Sequence, residues 1–129
     1  MCTELCFEIP YPIGTNAAYK LRVVYVNKRP SARMYMSAEG KQYKSEVEML
    51  TRNAMNYVGF EVDKKDRLGW QLELYPSDLR KDTDGGIKLT KDAIADGLGI
   101  NDRCFKEDHT YERPVDKSNP RAVVYIWKL

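Results

Sequence analysis

The stretch "RLGWQLELYP", Arg67 to Pro76, alternates apolar and polar side chains with the two-residue period of a β-strand. Leu68, Trp70, Leu72 and Leu74 therefore share one face of the predicted strand. A face this apolar must be covered by other elements of the chain. The stretch predicts a core strand, and whatever follows Pro76 lies just beyond a strand end.

The rest of the chain predicts further strands and two helices around this strand. They are an N-terminal strand in "CTELCFEIP", a hairpin with strands at Leu21–Val26 and Arg33–Met36 joined through Asn27, Pro30 and Ser31, an amphipathic helix from an N-cap at Ser37 to Gly59, a second helix from Asp84 to Gly97 or Gly99, and a last strand in "AVVYIWKL". This order predicts an α+β fold for a single domain, residues 1–129, in which a long and a short helix pack on one mixed sheet.

Composition excludes several classes of protein. Hydrophobic residues make up 43% of the chain and charged residues 31%, which is typical of a folded protein rather than a disordered one. The three cysteines and one histidine form no cluster of zinc ligands, and reduced thiols fit a cytoplasmic protein. The longest uncharged stretch, residues 9–19, is interrupted by Pro10, Pro12 and Gly14, so no membrane span is expected.

Positive charge is concentrated near the N-terminus. Residues 11–44 hold seven basic residues and one acidic residue, a net charge of +6, whereas the remaining 14 basic and 18 acidic residues sum to −4. Such a basic region attracts polyanions, because each neutralised phosphate releases counterions. An ordinary solvated hairpin that happens to be basic explains the same pattern, and the charges alone leave both explanations open.

The segment "KDTDGGIK", Lys81 to Lys88, follows the core strand and brings opposite charges together. If Asp82 and Asp84 lie in extended backbone, their carboxylates point to the same side and repel each other unless a cation neutralises them. Oxygen ligands suit Mg²⁺ or Mn²⁺. The pattern therefore predicts a divalent metal site.

Two more residues extend this candidate site. Asp102, just after the second helix, is the expected third carboxylate, and Lys88 lies one helical turn after Asp84, where it would bind a scissile phosphate. Water activated by the metal would make the protein a phosphodiester hydrolase. The pattern also fits a capped turn in which Asp84 pairs with Lys88 on the surface, and both alternatives stay open.

Four segments, in this order, resemble the RusA family of Holliday junction resolvases, found in bacteria and their phages and prophages. They are "IPYPIGTNAAY", "YMSAEGKQYK", "DTDGGIKLTKDAI" and "INDRCF", which together extend over nearly the whole chain. The resemblance implies a RusA-like fold and a homodimer that binds a four-way DNA junction. With Mg²⁺, or Mn²⁺ as a substitute, the dimer would nick two strands symmetrically in DNA recombination and repair, in the cytoplasm of a bacterial or phage-infected cell.

The resemblance also implies roles for individual residues. The essential carboxylates, which would bind the metal, map to Asp82, Asp84 and Asp102, the catalytic lysine to Lys88, and a DNA-contacting basic residue to Lys81. Asn16 and Tyr19 match the opening motif, where DNA contact or support of the site is expected. Lys28, Arg29 and Arg33 on the hairpin are the expected phosphate contacts.

Two positions depart from the family pattern. Gly85 stands where the family often has Asn, and Asn101 stands where it often has the first of two acids, which leaves Asp102 as the only acid there. Two alternatives to a metal-dependent nuclease therefore stay open. One is a non-catalytic architectural protein that binds branched DNA with the same fold, and the other is a regulatory interaction domain in which the aspartate segment is only a turn.

Overall fold

The computed structural model describes residues 2–78 and 86–129, and for Thr15 and Asn16 it describes the backbone alone. Four strands form a mixed sheet in the order β1-β6-β4-β5, where β1 is Glu4–Pro10, β4 is Leu68–Tyr75, β5 is Phe105–Glu112 and β6 is Arg121–Lys128. β6 pairs antiparallel with both β1 and β4. The predicted alternation of β4 is confirmed, because Leu68, Trp70, Leu72 and Leu74 are all buried in the core.

The long helix has the boundaries that its capping residues predict. It is α2, Ala38–Val58, and it packs against α3 and β1. The hydroxyl of Ser37 accepts the backbone N–H of Gly40 at 3.0 Å, and Gly59 ends the helix in the left-handed conformation with φ 71°. Tyr43 and Val47 are buried on its inner face, as the spacing predicts.

The second helix begins later than expected. It is α3, Ile87–Leu98, preceded by Gly86 with φ 81°, a conformation that an α-helix cannot include. The predicted start at Asp84 is therefore wrong for the regular helix, whereas the predicted stop at Gly99 is confirmed. A mixed sheet covered by a long and a short helix confirms the α+β class.

The basic hairpin forms a sheet of its own. Its strands, β2 (Tyr19–Val26) and β3 (Arg29–Met36), pair only with each other. Asn27 and Lys28 have φ 54° and 66°, as in the two-residue turns that match the twist of a hairpin. The turn is therefore tighter than predicted, and Pro30 lies within β3, since the outer edge of a two-stranded ribbon needs no N–H donor.

Three elements have no counterpart in the sequence-based expectations. The short helix α1 is Thr15–Ala18, a 3₁₀ helix spans Asp102–Cys104, and β5 pairs parallel to β4. Parallel neighbours need a crossover connection, and α3 lies in the segment that joins β4 to β5. Across residues 2–78 and 86–129, no helix combines the length and the apolar character that a membrane crossing requires.

Candidate metal and nucleic-acid site

The proline-rich opening lies against the start of α3. A Cβ atom on Gly86 would overlap the carbonyl oxygen of Ile13 and would lie 3.2 Å from Cβ of Pro12. Glycine is therefore required at position 86 both by its backbone angle and by this contact. Ser77 lines a depression of about 340 Å³ together with Pro12 and Ile13. Ser77, shortly before the two aspartates Asp82 and Asp84, and Gly86, shortly after them, thus both border the opening.

A chain of hydrogen bonds joins the end of β1, the long helix α2 and the start of α3. The hydroxyl of Tyr43 donates to the carbonyl oxygen of Pro10 at 2.9 Å and lies 3.4 Å from Oγ1 of Thr90. Thr90 in turn donates to the carbonyl oxygen of Gly86 at 2.8 Å. Burial raises the pKa of Tyr43 above its ordinary value, so its hydroxyl stays protonated and able to donate. The end of β1, the middle of α2 and the start of α3 are held in one arrangement.

The helix that carries Asn16 is fixed to the start of α2. The hydroxyl of Ser37 donates to the carbonyl oxygen of Ala17 at 2.6 Å, and the backbone N–H of Ser37 donates to that of Ala18 at 2.7 Å. Gly40 allows this approach, because a Cβ there would lie 2.5 Å from the carbonyl oxygen of Ala18. The first two segments of the family resemblance and the described part of the third, residues 86–94, therefore lie against one another.

Lys88 and Asp102 both lie near a carboxylate that the sequence pattern did not single out. Lys88 is exposed in the first turn of α3, and Asp92 follows it one turn later. Burial, and next the negative charge of Asp102, raise the pKa of Asp92, while the charge of Lys88 opposes this rise. Asp92 and Asp102 also line one depression of about 320 Å³ with Lys44 and Asp96. The spacing of Asp92, four residues after Lys88 and eight after Asp84, was the signal that could have identified it.

The other members of the predicted acidic cluster lie outside the described residues. These are Asp82, Asp84 and the neighbouring Lys81, together with Gly85. Within residues 2–78 and 86–129, no three His, Cys, Asp or Glu side chains lie close enough together to hold a metal ion. Asp92 and Asp102 nevertheless supply oxygen donors of the type that Mg²⁺ prefers. The three-carboxylate metal site stays a prediction.

Asn101 has a local structural task. Its side-chain oxygen accepts the backbone N–H of Arg103 at 2.9 Å and caps the 3₁₀ helix that begins at Asp102. Asp102 itself is exposed at the start of this helix. The departure from a pair of acids therefore replaces a charge with a cap that fixes the backbone beside Asp102.

The predicted DNA-binding residues of the hairpin are all exposed. Lys28 lies in the turn, Arg29 starts β3, and Arg33 lies directly opposite Arg22. Because Arg22 pairs with Arg33, it adds a fourth basic residue to the exposed surface formed by Lys28, Arg29 and Arg33. Its guanidinium lies 5.3 Å from the ring centroid of Tyr35, within the range of a cation–π contact. Tyr19, in contrast, is half-buried at the base of the hairpin and packs against the core, which favours a supporting role.

Comparison with known proteins agrees with the sequence resemblance. No protein family model matches the chain. The chain is 26% identical over 110 residues to the crossover junction endodeoxyribonuclease RusA of Escherichia coli O139:H28 (strain E24377A / ETEC), a match that covers 84% of this chain and 82% of that protein. The resemblance to the RusA family is thus confirmed over most of the length of both chains.

Proposed function

We propose that this protein is an endodeoxyribonuclease that resolves four-way DNA junctions by paired symmetric nicks, with Mg²⁺ or Mn²⁺ as cofactor. The observation that carries the proposal is the match to RusA over most of both chains. The contact between the opening motif and the start of α3 adds support, because these two segments carry Asn16 and Lys88, which have proposed roles. The reaction would take place in the cytoplasm of a bacterial or phage-infected cell.

The metal would be held by Asp82, Asp84 and Asp102, with Asp92 close to the last of these. A divalent ion bound there would activate water for attack at phosphorus and stabilise charge on the oxygens. Asp102 suits this role because it is exposed and its backbone is fixed by the Asn101 cap.

Lys88 would bind the phosphate that is cut. It is exposed in the first turn of α3, and the helix start is fixed by the contacts of Gly86 and Thr90. An ammonium group held in this position would stabilise negative charge that develops on the phosphate during displacement. Lys81 and Asn16 would contact DNA nearby.

The hairpin would supply phosphate contacts away from the reacting group. Lys28, Arg29 and Arg33 are exposed and lie on an element that projects its charge into solvent. These contacts would position the DNA without reading its sequence. In a homodimer, two such hairpins and two sites would match the two-fold symmetry of a four-way junction.

The test uses a labelled synthetic four-way junction and a linear duplex of matched sequence, with Mg²⁺, Mn²⁺ or EDTA, and resolves products on a denaturing gel. We expect paired nicks in the junction only, and only with metal. Asp82→Asn and Asp102→Asn should remove cleavage while junction binding persists, because a charge that repels phosphate has been lost. Glu107→Gln, which changes an exposed carboxylate on β5, is the matched control and should cleave normally.

A non-catalytic protein that binds branched DNA is the second candidate. It is favoured by Asn101, whose oxygen is engaged in the helix cap at the position where the family often has an acid. Tight, salt-sensitive junction binding without nicks in either metal would support it. Restoration of nicking by Asn101→Asp would instead return the protein to the nuclease class.

A further inference from the structure

One long edge of the mixed sheet is open along strand β1. In the order β1-β6-β4-β5, β1 is an outermost strand, and β6 pairs with only one of its two edges. The backbone N–H of Lys128 donates to the carbonyl oxygen of Thr3 at 3.1 Å, so the backbone groups of Thr3 face β6. These groups alternate in direction along an antiparallel strand. The odd-numbered residues of β1 therefore face β6, and the even-numbered residues direct their backbone groups outward.

Contacts within the chain close this edge at both ends and leave its centre open. The carbonyl oxygen of Glu4 accepts a hydrogen bond from a thiol at 2.7 Å, and that of Pro10 accepts the tyrosine hydroxyl of α2. Between them, the N–H and C=O groups of Cys6 and Glu8 have no hydrogen-bond partner among residues 2–78 and 86–129. Both residues are exposed. Four backbone groups are thus available to an added strand.

The side chains beside these four groups form an acidic and aromatic surface. Glu4 and Cys6 line a depression of about 420 Å³ together with Tyr125 and Trp127, on the face of the sheet away from the core. Glu4 has no ion pair with any residue that the structure describes. Glu8 has one, at 3.6 Å, and its side chain is 66% exposed. A strand added at this edge would place every second side chain beside these carboxylates and rings.

The two carboxylates decide which occupant suits the edge. If two copies of β1 paired antiparallel and centred on Cys6, Glu4 of each copy would lie directly opposite Glu8 of the other. Like charges in that position destabilise a sheet. DNA is a poor occupant for a related reason, because its phosphates would meet the same two carboxylates. The occupant that complements the edge is an extended polypeptide with positive charge.

We propose that a basic, extended segment of another protein pairs antiparallel with β1 and becomes a fifth strand of the sheet. Its backbone bonds to the four free groups of Cys6 and Glu8. Lys or Arg side chains at two positions four residues apart lie opposite Glu4 and Glu8, and an apolar side chain between them lies opposite Cys6, next to Tyr125. In this mode of recognition the main-chain hydrogen bonds give affinity and the alternate side chains give specificity.

This docking edge is separate from the groups with proposed roles toward DNA. Lys28, Arg29 and Arg33 belong to the two-stranded sheet of the hairpin, and Lys88 lies on α3, which covers the other face of the mixed sheet. A partner protein bound at β1 would therefore leave these cations exposed. The inference rests on the free backbone groups and the charges of β1, and it holds whether or not the protein cuts DNA.

The first test uses a fluorescein-labelled peptide, Thr-Lys-Thr-Val-Thr-Lys-Thr, and measures fluorescence anisotropy without DNA or metal. We expect a dissociation constant below about 100 μM. A peptide with glutamate in place of both lysines should bind at least about 10-fold more weakly. Glu4→Lys should weaken binding of the lysine peptide by about 10-fold or more. Glu107→Lys makes the same change at an exposed position of β5 and should leave its affinity within about twofold.

A second measurement separates strand pairing from simple attraction between charges. N-methylation of the valine removes the donor that faces Cys6 and should abolish binding. N-methylation of the threonine before it, whose N–H faces away from β1, should leave the affinity within about twofold. In amide hydrogen exchange, Cys6 and Glu8 should exchange fast in the free protein and at least about 10-fold more slowly with peptide, while Phe7, bonded to β6, stays slow throughout.

Three results would overturn the proposal. They are no binding of the lysine peptide at about 1 mM, equal effects of the two N-methyl groups, and slow exchange of Cys6 and Glu8 in the free protein. Slow exchange that appears only at high protein concentration would identify a second copy as the occupant instead. The junction-cleavage assay reports separately on the nuclease.

Discussion

The mixed sheet with its helices α2 and α3, called here the body, and the β2–β3 hairpin differ in how much of their surface is buried. In the body, β1, β4, β5 and β6 bury one face beneath α2 and α3, and Gly86, Tyr43 and Thr90 fix the start of α3 to the opening motif. In the hairpin, two strands leave most of both faces in water, and only Tyr19 and Met36 at its base pack against the core. The difference indicates that the body holds chemical groups in place, whereas the hairpin presents surfaces to other molecules.

The largest effect on the body is expected from Gly86→Ala. The added Cβ would both strain the left-handed backbone and overlap the carbonyl oxygen of Ile13. We expect a loss of at least about 3 kcal/mol in the free energy of unfolding, measured by urea denaturation. Gly99→Ala is the matched control, because Gly99 has φ 76° but a Cβ added there would meet no atom within 4 Å. It should lose only about 1–2 kcal/mol, and equal losses would mean that the Ile13 contact contributes nothing.

Truncation of one leucine in each region tests the contrast in burial. Leu72 is fully buried in β4, and Leu72→Ala should lower the free energy of unfolding by about 3 kcal/mol. Leu21 is 71% exposed, so Leu21→Ala should change the unfolding of a monomeric sample by less than about 0.5 kcal/mol. A large loss for Leu21→Ala at low protein concentration would show that the hairpin is covered within a single chain.

One cation from each region tests the division between chemistry and binding. Lys88→Ala should lower the single-turnover cleavage rate by about 100-fold with junction affinity nearly unchanged. Arg33→Ala should weaken junction affinity and reduce the slope of its salt dependence by about one, with the cleavage rate at saturation preserved. If both variants affected only affinity, Lys88 would be another phosphate contact rather than a participant in the reaction.

Removal of one hydroxyl tests the hydrogen bonds around the start of α3. Tyr43→Phe keeps the ring but leaves the carbonyl oxygen of Pro10 without its donor, so the free energy of unfolding should fall by about 1–2 kcal/mol. Tyr57→Phe, at a side chain that is 91% exposed, is the control and should have no measurable effect. Thermal unfolding followed by circular dichroism would detect the difference.

The smallest effect is expected at the rim of the body, where Asp116 is half-buried. Hydrogen bonds from Ser118 and then from Arg121 lower the pKa of Asp116 below its ordinary value. The stabilisation is therefore present above the ordinary pKa of about 4 and is lost as pH falls through the lower folded-state value. Asp116→Asn should lower the melting temperature slightly at pH 7 and not at pH 2. High salt should reduce the difference at pH 7.

Sequence reasoning succeeded where local chemistry determines the structure. Ser37 and Gly59 marked the ends of α2, and the alternation from Leu68 to Leu74 marked the core strand. It failed where tertiary contacts decide. The start of α3 depends on the close approach of Ile13 to Gly86, and the independence of the hairpin depends on which strands find partners. Neither is encoded in periodicity.

The sequence likewise identified some residues of the candidate site and missed others. Lys88 and Asp102 are exposed and their roles stay predictions, while Asp82 and Asp84 lie outside the described residues. Asp92 was missed because its nearness to Asp102 arises only when the chain returns after α3. Its place one turn after Lys88 was visible in the sequence, but a single acid on a helix is most often only a solvated surface residue.

Strand β5 is the edge of the mixed sheet beyond β4, and it carries Lys106, Glu107 and Asp108 in succession, all exposed. Because of these charges, β5 lacks the apolar alternation that identifies a strand, and the sequence analysis did not predict it. They also protect the molecule, because an open strand edge offers unpaired N–H and C=O groups to any other extended chain, and charged side chains discourage such pairing. Neutral replacements along β5 would therefore be expected to promote aggregation long before they altered folding.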